Sequence, residues 1–266
     1  MFRIYFLFFI VFSFFSCSKF VKIQKSNDWK EKYDAAIRYY ENEDYYKASI
    51  LFEELVPIIK GKKEAETIEF YLSYCYYYQN QLTLSSEYFK EFYETYGRSS
   101  LAEEAFFMYT KSLYESSPDH NLDQTTTYEA IDAVQSFINR YPESKFVEEG
   151  IKVLTSLREK LELKGYENAK LYHQVRNYKS AIVAFENFEK SFPDSRFNEE
   201  VNFLKIESQY LLARESIESK QKERFASTVQ FYENFVDKYP ESKFLRQAEQ
   251  YYSNSLQQIT QLANIK

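Results

Sequence analysis

Few residues in this 266-residue chain have the type and spacing for bond-making chemistry. Two histidines (His120, His173) and two cysteines (Cys17, Cys75) are far apart in sequence, so neither H-E-x-x-H nor any Cys/His zinc spacing occurs. No metal site and no cofactor is expected. Gly61, Gly97, Gly150 and Gly165 are too scattered for a dinucleotide turn or a phosphate-cradling loop, both of which need clustered glycines. A catalytic carboxylate pair needs a cleft that helical periodicity cannot reveal, and the many Glu side chains read as solvated faces. Catalysis is not expected. What remains is the chemistry of aromatic rings. Phe70, Tyr71, Tyr74, Tyr77 and Tyr78, with Tyr33, Ile37 and Tyr40 upstream, recur at helical spacing. Such a stripe serves either to fill space between helices or to stack against the rings of a bound peptide. Cys75, between Tyr74 and Tyr76, reads as a small buried hydrophobe, His173 as a helix-surface residue and His120 as a loop residue.

Cys17 differs from Cys75 by its position. An apolar run from Ile4 to Phe15, broken only by Ser13, ends in Ser16-Cys17. The run is too short to span a membrane, which takes about 20 apolar residues, and fits the core of a secretory signal. The small residue before the cysteine resembles a bacterial lipoprotein box, which implies cleavage after residue 16 and a lipid on Cys17. An ordinary signal peptide with an incidental cysteine is the alternative. Ser18, in place of Asp, is the residue that in enteric lipoproteins implies sorting to the outer membrane. The absence of acids at 18–21 favours its periplasmic face. Residues 17–28 are then the lipidated end and a polar tether of about 36 Å when extended.

The elements that position the rings follow from composition. The chain has 26 Tyr, 25 Phe and 1 Trp but only 4 Gly and 5 Pro, too few turn formers for a β-sandwich, barrel or propeller. Long helices with short connections are expected. The net charge is −6, and the only basic block noted is Lys60, Lys62 and Lys63, so the clustered basic face of a nucleic-acid binder is missing.

One phrase returns four times: Tyr96-Gly97-Arg98-Ser99, Tyr141-Pro142-Glu143-Ser144, Phe192-Pro193-Asp194-Ser195 and Tyr239-Pro240-Glu241-Ser242, at intervals of 45, 51 and 47 residues. An apolar residue follows two positions later (Leu101, Phe146, Phe197, Phe244), and Glu104, Glu149, Glu200 or Gln247 three further on. Pro stops the preceding helix, and Ser can cap the next by accepting a backbone N–H. Upstream, Ala181, Phe185 and Phe188, with Ala169 and Tyr172 one helix earlier, match the tetratricopeptide (TPR) scheme. There, small residues let paired helices approach and large ones fill between them. Equivalent sets are Ala130/Val134/Phe137, Thr228/Tyr232/Phe235, Ala36/Tyr39/Ala48/Phe52/Leu55 and Ser73/Tyr76/Ser85/Phe89/Phe92. The expected fold is all-α: a TPR-like α-solenoid of about five helix pairs over residues 29–262, a single domain, with a capping helix from Phe244 to Leu262. Inserts are expected at 116–124 and in the charged segment 215–224.

Lipoprotein signal, five TPR-like pairs and the recurring Tyr-Pro-x-Ser phrase together resemble the BamD family of the outer-membrane β-barrel assembly (BAM) machinery, over essentially the whole chain. The resemblance implies a non-catalytic scaffold. Its C-terminal half would associate with the POTRA domains of a BamA-like barrel protein, and its N-terminal half would receive unfolded β-barrel clients. On the TPR scheme Phe70, Tyr71, Tyr74, Tyr77 and Tyr78, joined by Tyr33, Ile37 and Tyr40, take positions that line the concave side and are the expected face for the aromatic end of a client, whereas Leu72, Ser73 and Tyr76 take packing positions. A lipid-anchored periplasmic adaptor for cell-envelope or cell-wall enzymes is the other functional class.

Overall fold

Each recurring phrase ends a helix in the same way. The N–H groups of Tyr96, Tyr141, Phe192 and Tyr239 donate to the carbonyls of Phe92, Phe137, Phe188 and Phe235 at 2.8, 2.9, 2.8 and 2.8 Å. The next residue, Pro in three cases, cannot continue the helix. The serines then accept the N–H two residues on, Ser99 from Leu101, Ser144 from Phe146, Ser195 from Phe197 and Ser242 from Phe244, at 3.0–3.1 Å. This is a hydroxyl-closed turn just ahead of the helix rather than the expected cap on a helical N–H.

The computed structural model describes residues 19–264. Among them are twelve helices: α1 (19–24), α2 (Trp29–Glu41), α3 (Tyr45–Ile59), α4 (Ala65–Tyr78), α5 (Leu82–Thr95), α6 (Ala102–Ser116), α7 (Thr125–Arg140), α8 (Val147–Gln174), α9 (Tyr178–Ser191), α10 (Asn198–Arg214), α11 (Glu218–Lys238) and α12 (Leu245–Ala263). Successive helices pack on one another, and the fold is all-α and TPR-like. Residues 117–124 form the expected loop, whereas most of the charged segment continues α11 toward its N-terminus, which begins at Glu218.

By contacts the described residues fall into two compact units, 19–158 and 159–264. The division falls inside the 28-residue α8. The first unit contains the pairs α2/α3, α4/α5 and α6/α7. Its cores are built on Leu51, Phe52, Leu55 and Ile68, on Phe89, Phe92, Phe107 and Phe137, and on Ala130, Val153 and Leu157. Complete burial of such a side chain stabilises by about 1.5–3 kcal/mol before entropy is counted. The second unit pairs the end of α8 with α9, then α10 with α11, and closes on α12. Its core holds Ala169, Ala181, Phe185, Phe188, Val201, Ile206 and Phe235. Gly165 permits the α8/α9 approach, because a Cβ there would lie 3.2 Å from both Phe188 and Phe192. Tyr172 departs from the TPR scheme. It is 45% exposed and forms one wall of an open cleft with Val183 and Ala184.

The body starts earlier than residue 29. Residues 19–24, expected within the extended tether, are helical, and Phe20 and Ile23 are buried in the first core. The ring of Phe20 meets Tyr39 edge-on at 5.7 Å. Two apolar side chains at i and i+3 share a helix face, which is enough to dock a short helix on the first pair.

Candidate functional site

Helices α2 and α4 present their rings to each other. Tyr40 stacks on Tyr71 with centroids 4.5 Å apart, and Tyr45, at the start of α3, stacks on Tyr78 at 4.5 Å. Tyr40 also meets Tyr45 edge-on at 5.5 Å. Along α4 the array continues through Tyr74 to Tyr78 (5.7 Å) and Tyr77 to Tyr78 (5.6 Å). Offset and edge-on rings at these separations are the favoured aromatic geometries, so the array is locked by its own contacts.

The hydroxyls of this array are held by a third helix. Tyr74 donates to Glu104 and Tyr77 to Glu115, both at 2.6 Å and both to carboxylates of α6. Burial, and after it the bond to the carboxylate, pushes both phenols well above the ordinary value. Burial, with neighbouring phenols adding to it, does the same for Tyr40. These phenols are donors at any physiological pH.

The expected face is therefore sorted by depth. Phe70 does not belong to it: the ring is 5% exposed and inserted between Tyr74, Phe89 and Phe92, with centroids 5.1, 6.1 and 5.3 Å away, in the second core. The physical reason is its place one turn from Tyr74 on the side of α4 that α5 covers. Tyr71, Tyr74 and Tyr77 are half-buried, and Tyr71 touches two cores at once. Tyr33 and Ile37 are half-buried against the first core, and the Lys30 ammonium lies 4.9 Å over the Tyr33 ring. Tyr78 is the open member, 50% exposed, with Tyr46 beside the start of α3 at 66%. Leu72, Ser73 and Tyr76 are buried packing residues, as is Cys75. Cys17 lies outside the described residues.

Sequence reasoning missed the carboxylates and Tyr45. Glu104 carried a signal, being the acid of the recurring phrase. Glu149 and Glu200 occupy the same place and meet Lys111 at 2.9 Å and Lys170 at 3.0 Å. That position thus takes a donor from the first helix of the preceding pair.

In the second unit His173 is half-buried, not fully on the helix surface as expected. Its Nδ1 is 2.9 Å from Ser208 Oγ and its Nε2 is 3.4 Å from Glu207, which also accepts from Tyr251 at 2.6 Å. Serine, histidine and carboxylate in contact invite a hydrolytic reading. Ser208, however, has no exposed surface, so no acyl carbon can reach its oxygen. The group ties α8, α10 and α12 together, and the His173 hydrogen bond holds Glu207 below its ordinary value.

Among the described residues no cluster of three or more His, Cys, Asp or Glu could hold a metal ion. No helix among them is long and apolar enough to cross a membrane. The Tyr face can stack rings and accept backbone N–H groups at Glu104 and Glu115.

A family model described as "YfiO: Outer membrane lipoprotein" matches residues 25–183, more than half of the chain and all of the Tyr face. No curated protein matches the chain.

Proposed function

This chain belongs to the YfiO family of outer membrane lipoproteins, and from that premise we propose that it is a non-catalytic scaffold of the outer-membrane β-barrel assembly machinery. It is held at the periplasmic face by a lipid on Cys17 after removal of residues 1–16. Its partners are a BamA-like barrel protein with POTRA domains and unfolded β-barrel clients. It takes no cofactor and no nucleic acid.

The observation that carries the reading is the Tyr71–Tyr40–Tyr45–Tyr78–Tyr74 array, with Tyr78 open beside Tyr77, whose hydroxyl is fixed on the Glu115 carboxylate. A preorganised ring surface with hydrogen-bond acceptors at its edge binds an extended, aromatic-ended peptide without ordering loops, and so loses little affinity to entropy. Phe70 has no part in that contact.

Affinity purification from detergent-solubilised membranes tests the proposal. Co-purification of a POTRA-containing barrel protein is the expected result, together with lower outer-membrane protein levels on depletion. Recovery of peptidoglycan enzymes alone would assign the chain to a cell-wall adaptor instead.

A further inference from the structure

The chain is acidic overall, yet its first described helix is not. In α1, Phe20 and Ile23 point into the first core, and Gln24 donates to Glu54 at 2.9 Å. At 100° per residue the opposite side belongs to Lys22 and to Lys25 just past the last turn, with Lys19 and the 37%-exposed Val21 on its flanks. All three lysines are exposed. A second basic group lies close by. Lys62 is 4.4 Å over the ring of Trp29, the first residue of α2, which sets the exposed loop of Lys60, Lys62 and Lys63 beside the corner between α1 and α2.

Three of the nearby acids are engaged elsewhere, whereas Glu64 follows directly on Lys63 and Glu69 feels Lys60 at longer range. Asp28 caps α2, Glu31 accepts from Ser26, and Glu54 takes Lys32 at 2.6 Å. No ion pair among the described residues uses Lys19, Lys22, Lys25, Lys60 or Lys63.

We propose that the outer side of α1, with the 60–63 loop, is a docking face for an anionic phospholipid surface, holding the first helix pair flat against the membrane instead of leaving it on a tether. The inference rests on the outer-membrane location given above. Three arguments fix the occupant. Lys19 lies two positions past Cys17, at most about 7 Å of chain, within the screening length of about 8 Å at physiological salt. The membrane-seeking group ends at that point in either case, whether it is a lipid on Cys17 or the apolar run 4–15 itself. Finally, the face is basic on a chain of net charge −6, so it complements headgroup phosphates, whereas the rest of the chain does not.

Each lysine near such a surface strengthens binding about five-fold. The test uses the full-length mature chain with vesicles of phosphatidylcholine, with and without phosphatidylglycerol, carrying a headgroup quencher. Trp29, the single tryptophan, is the reporter. Quenching should rise in phosphatidylglycerol vesicles at low salt and fall with added salt. It should drop to the phosphatidylcholine level when Lys19→Gln, Lys22→Gln and Lys25→Gln are combined, while Lys220→Gln with Lys222→Gln changes nothing. Equal quenching with and without phosphatidylglycerol, or a triple variant identical to its parent, overturns the face and leaves these lysines to a protein partner. Flotation at high salt separates this from the anchor. A chain that leaves the vesicles there carries no lipid, and its low-salt binding to anionic vesicles then reads the face directly.

Discussion

Ser144 Oγ donates a 2.6 Å hydrogen bond to the carboxylate of Glu103, 41 residues earlier at the start of α6, while the same oxygen accepts the N–H of Phe146. Ser242 with Glu199 (2.6 Å) and Ser195 with Glu162 (2.5 Å) repeat the arrangement, and Ser99 bonds Glu66. The serine that ends one helix pair therefore fastens to the first helix of that same pair, using donor and acceptor together.

Ser144→Ala removes both bonds and is expected to cost about 1–2 kcal/mol, with Ser144→Thr restoring most of it. Urea unfolding measures the difference. A change within about 0.5 kcal/mol, the range of neutral surface substitutions, would mean that the serines are only spacers.

Arg176 sits at φ 62° in the turn between α8 and α9, where Asn177 N–H reaches Tyr172 O and Arg176 N–H reaches His173 O, both at 2.9 Å. This is the helix-ending motif that glycine favours. A Cβ there costs about 1–2 kcal/mol, against up to about 1 kcal/mol of extra unfolded-chain entropy for glycine. Arg176→Gly should raise the melting temperature, and Arg176→Val should lower it. The reverse order would refute the strain.

Burial pushes the phenols of Tyr93, Tyr96 and Tyr251 up to about 12, and those of Tyr40, Tyr74 and Tyr77 still higher. Groups raised on folding contribute stability that is complete below the unfolded value of 10.0 and is lost as pH climbs from there through the folded values. Unfolding free energy should thus be insensitive to these groups up to pH 9 and fall steeply between about 10 and 12. Phenolate absorbance should appear in step with loss of helix. Phenolate forming well before unfolding would show that these rings are open to water.

Tyr78→Ala removes a half-exposed ring that stacks on Tyr45 and Tyr74, at an expected cost of about 1–2 kcal/mol, and should weaken crosslinking of clients to a photoreactive residue at position 74. Phe70→Ala leaves a core cavity and should cost about 3–5 kcal/mol. If Tyr78→Ala retains full client capture while the fold stays intact, the array serves packing alone.

Much of this was legible from residue spacing. The Pro-Ser phrase marks where helices stop, because Pro has no N–H to continue them and Ser closes the following turn. Small and large residues at TPR offsets, such as Ala130, Val134 and Phe137, are fully buried. The face of α4 was legible too, but not its depth. Helical periodicity assigned Phe70 and Tyr74 to one stripe, yet α5 covers the first and leaves the second half-open. Helix α1 was hidden for a different reason: six residues with two apolar side chains read as a polar linker until something is present to receive Phe20 and Ile23.

By itself, then, the sequence determined the helix pairs and their ends, because those depend on local backbone chemistry within a few residues. The tertiary structure decided which rings are reachable, that Tyr74 and Tyr77 find their carboxylates 30 and 38 residues away, and that Lys22 and Lys25 face outward from a docked helix. Those outcomes depend on which neighbouring helix occupies the adjacent space, and no periodicity within one helix encodes its neighbour.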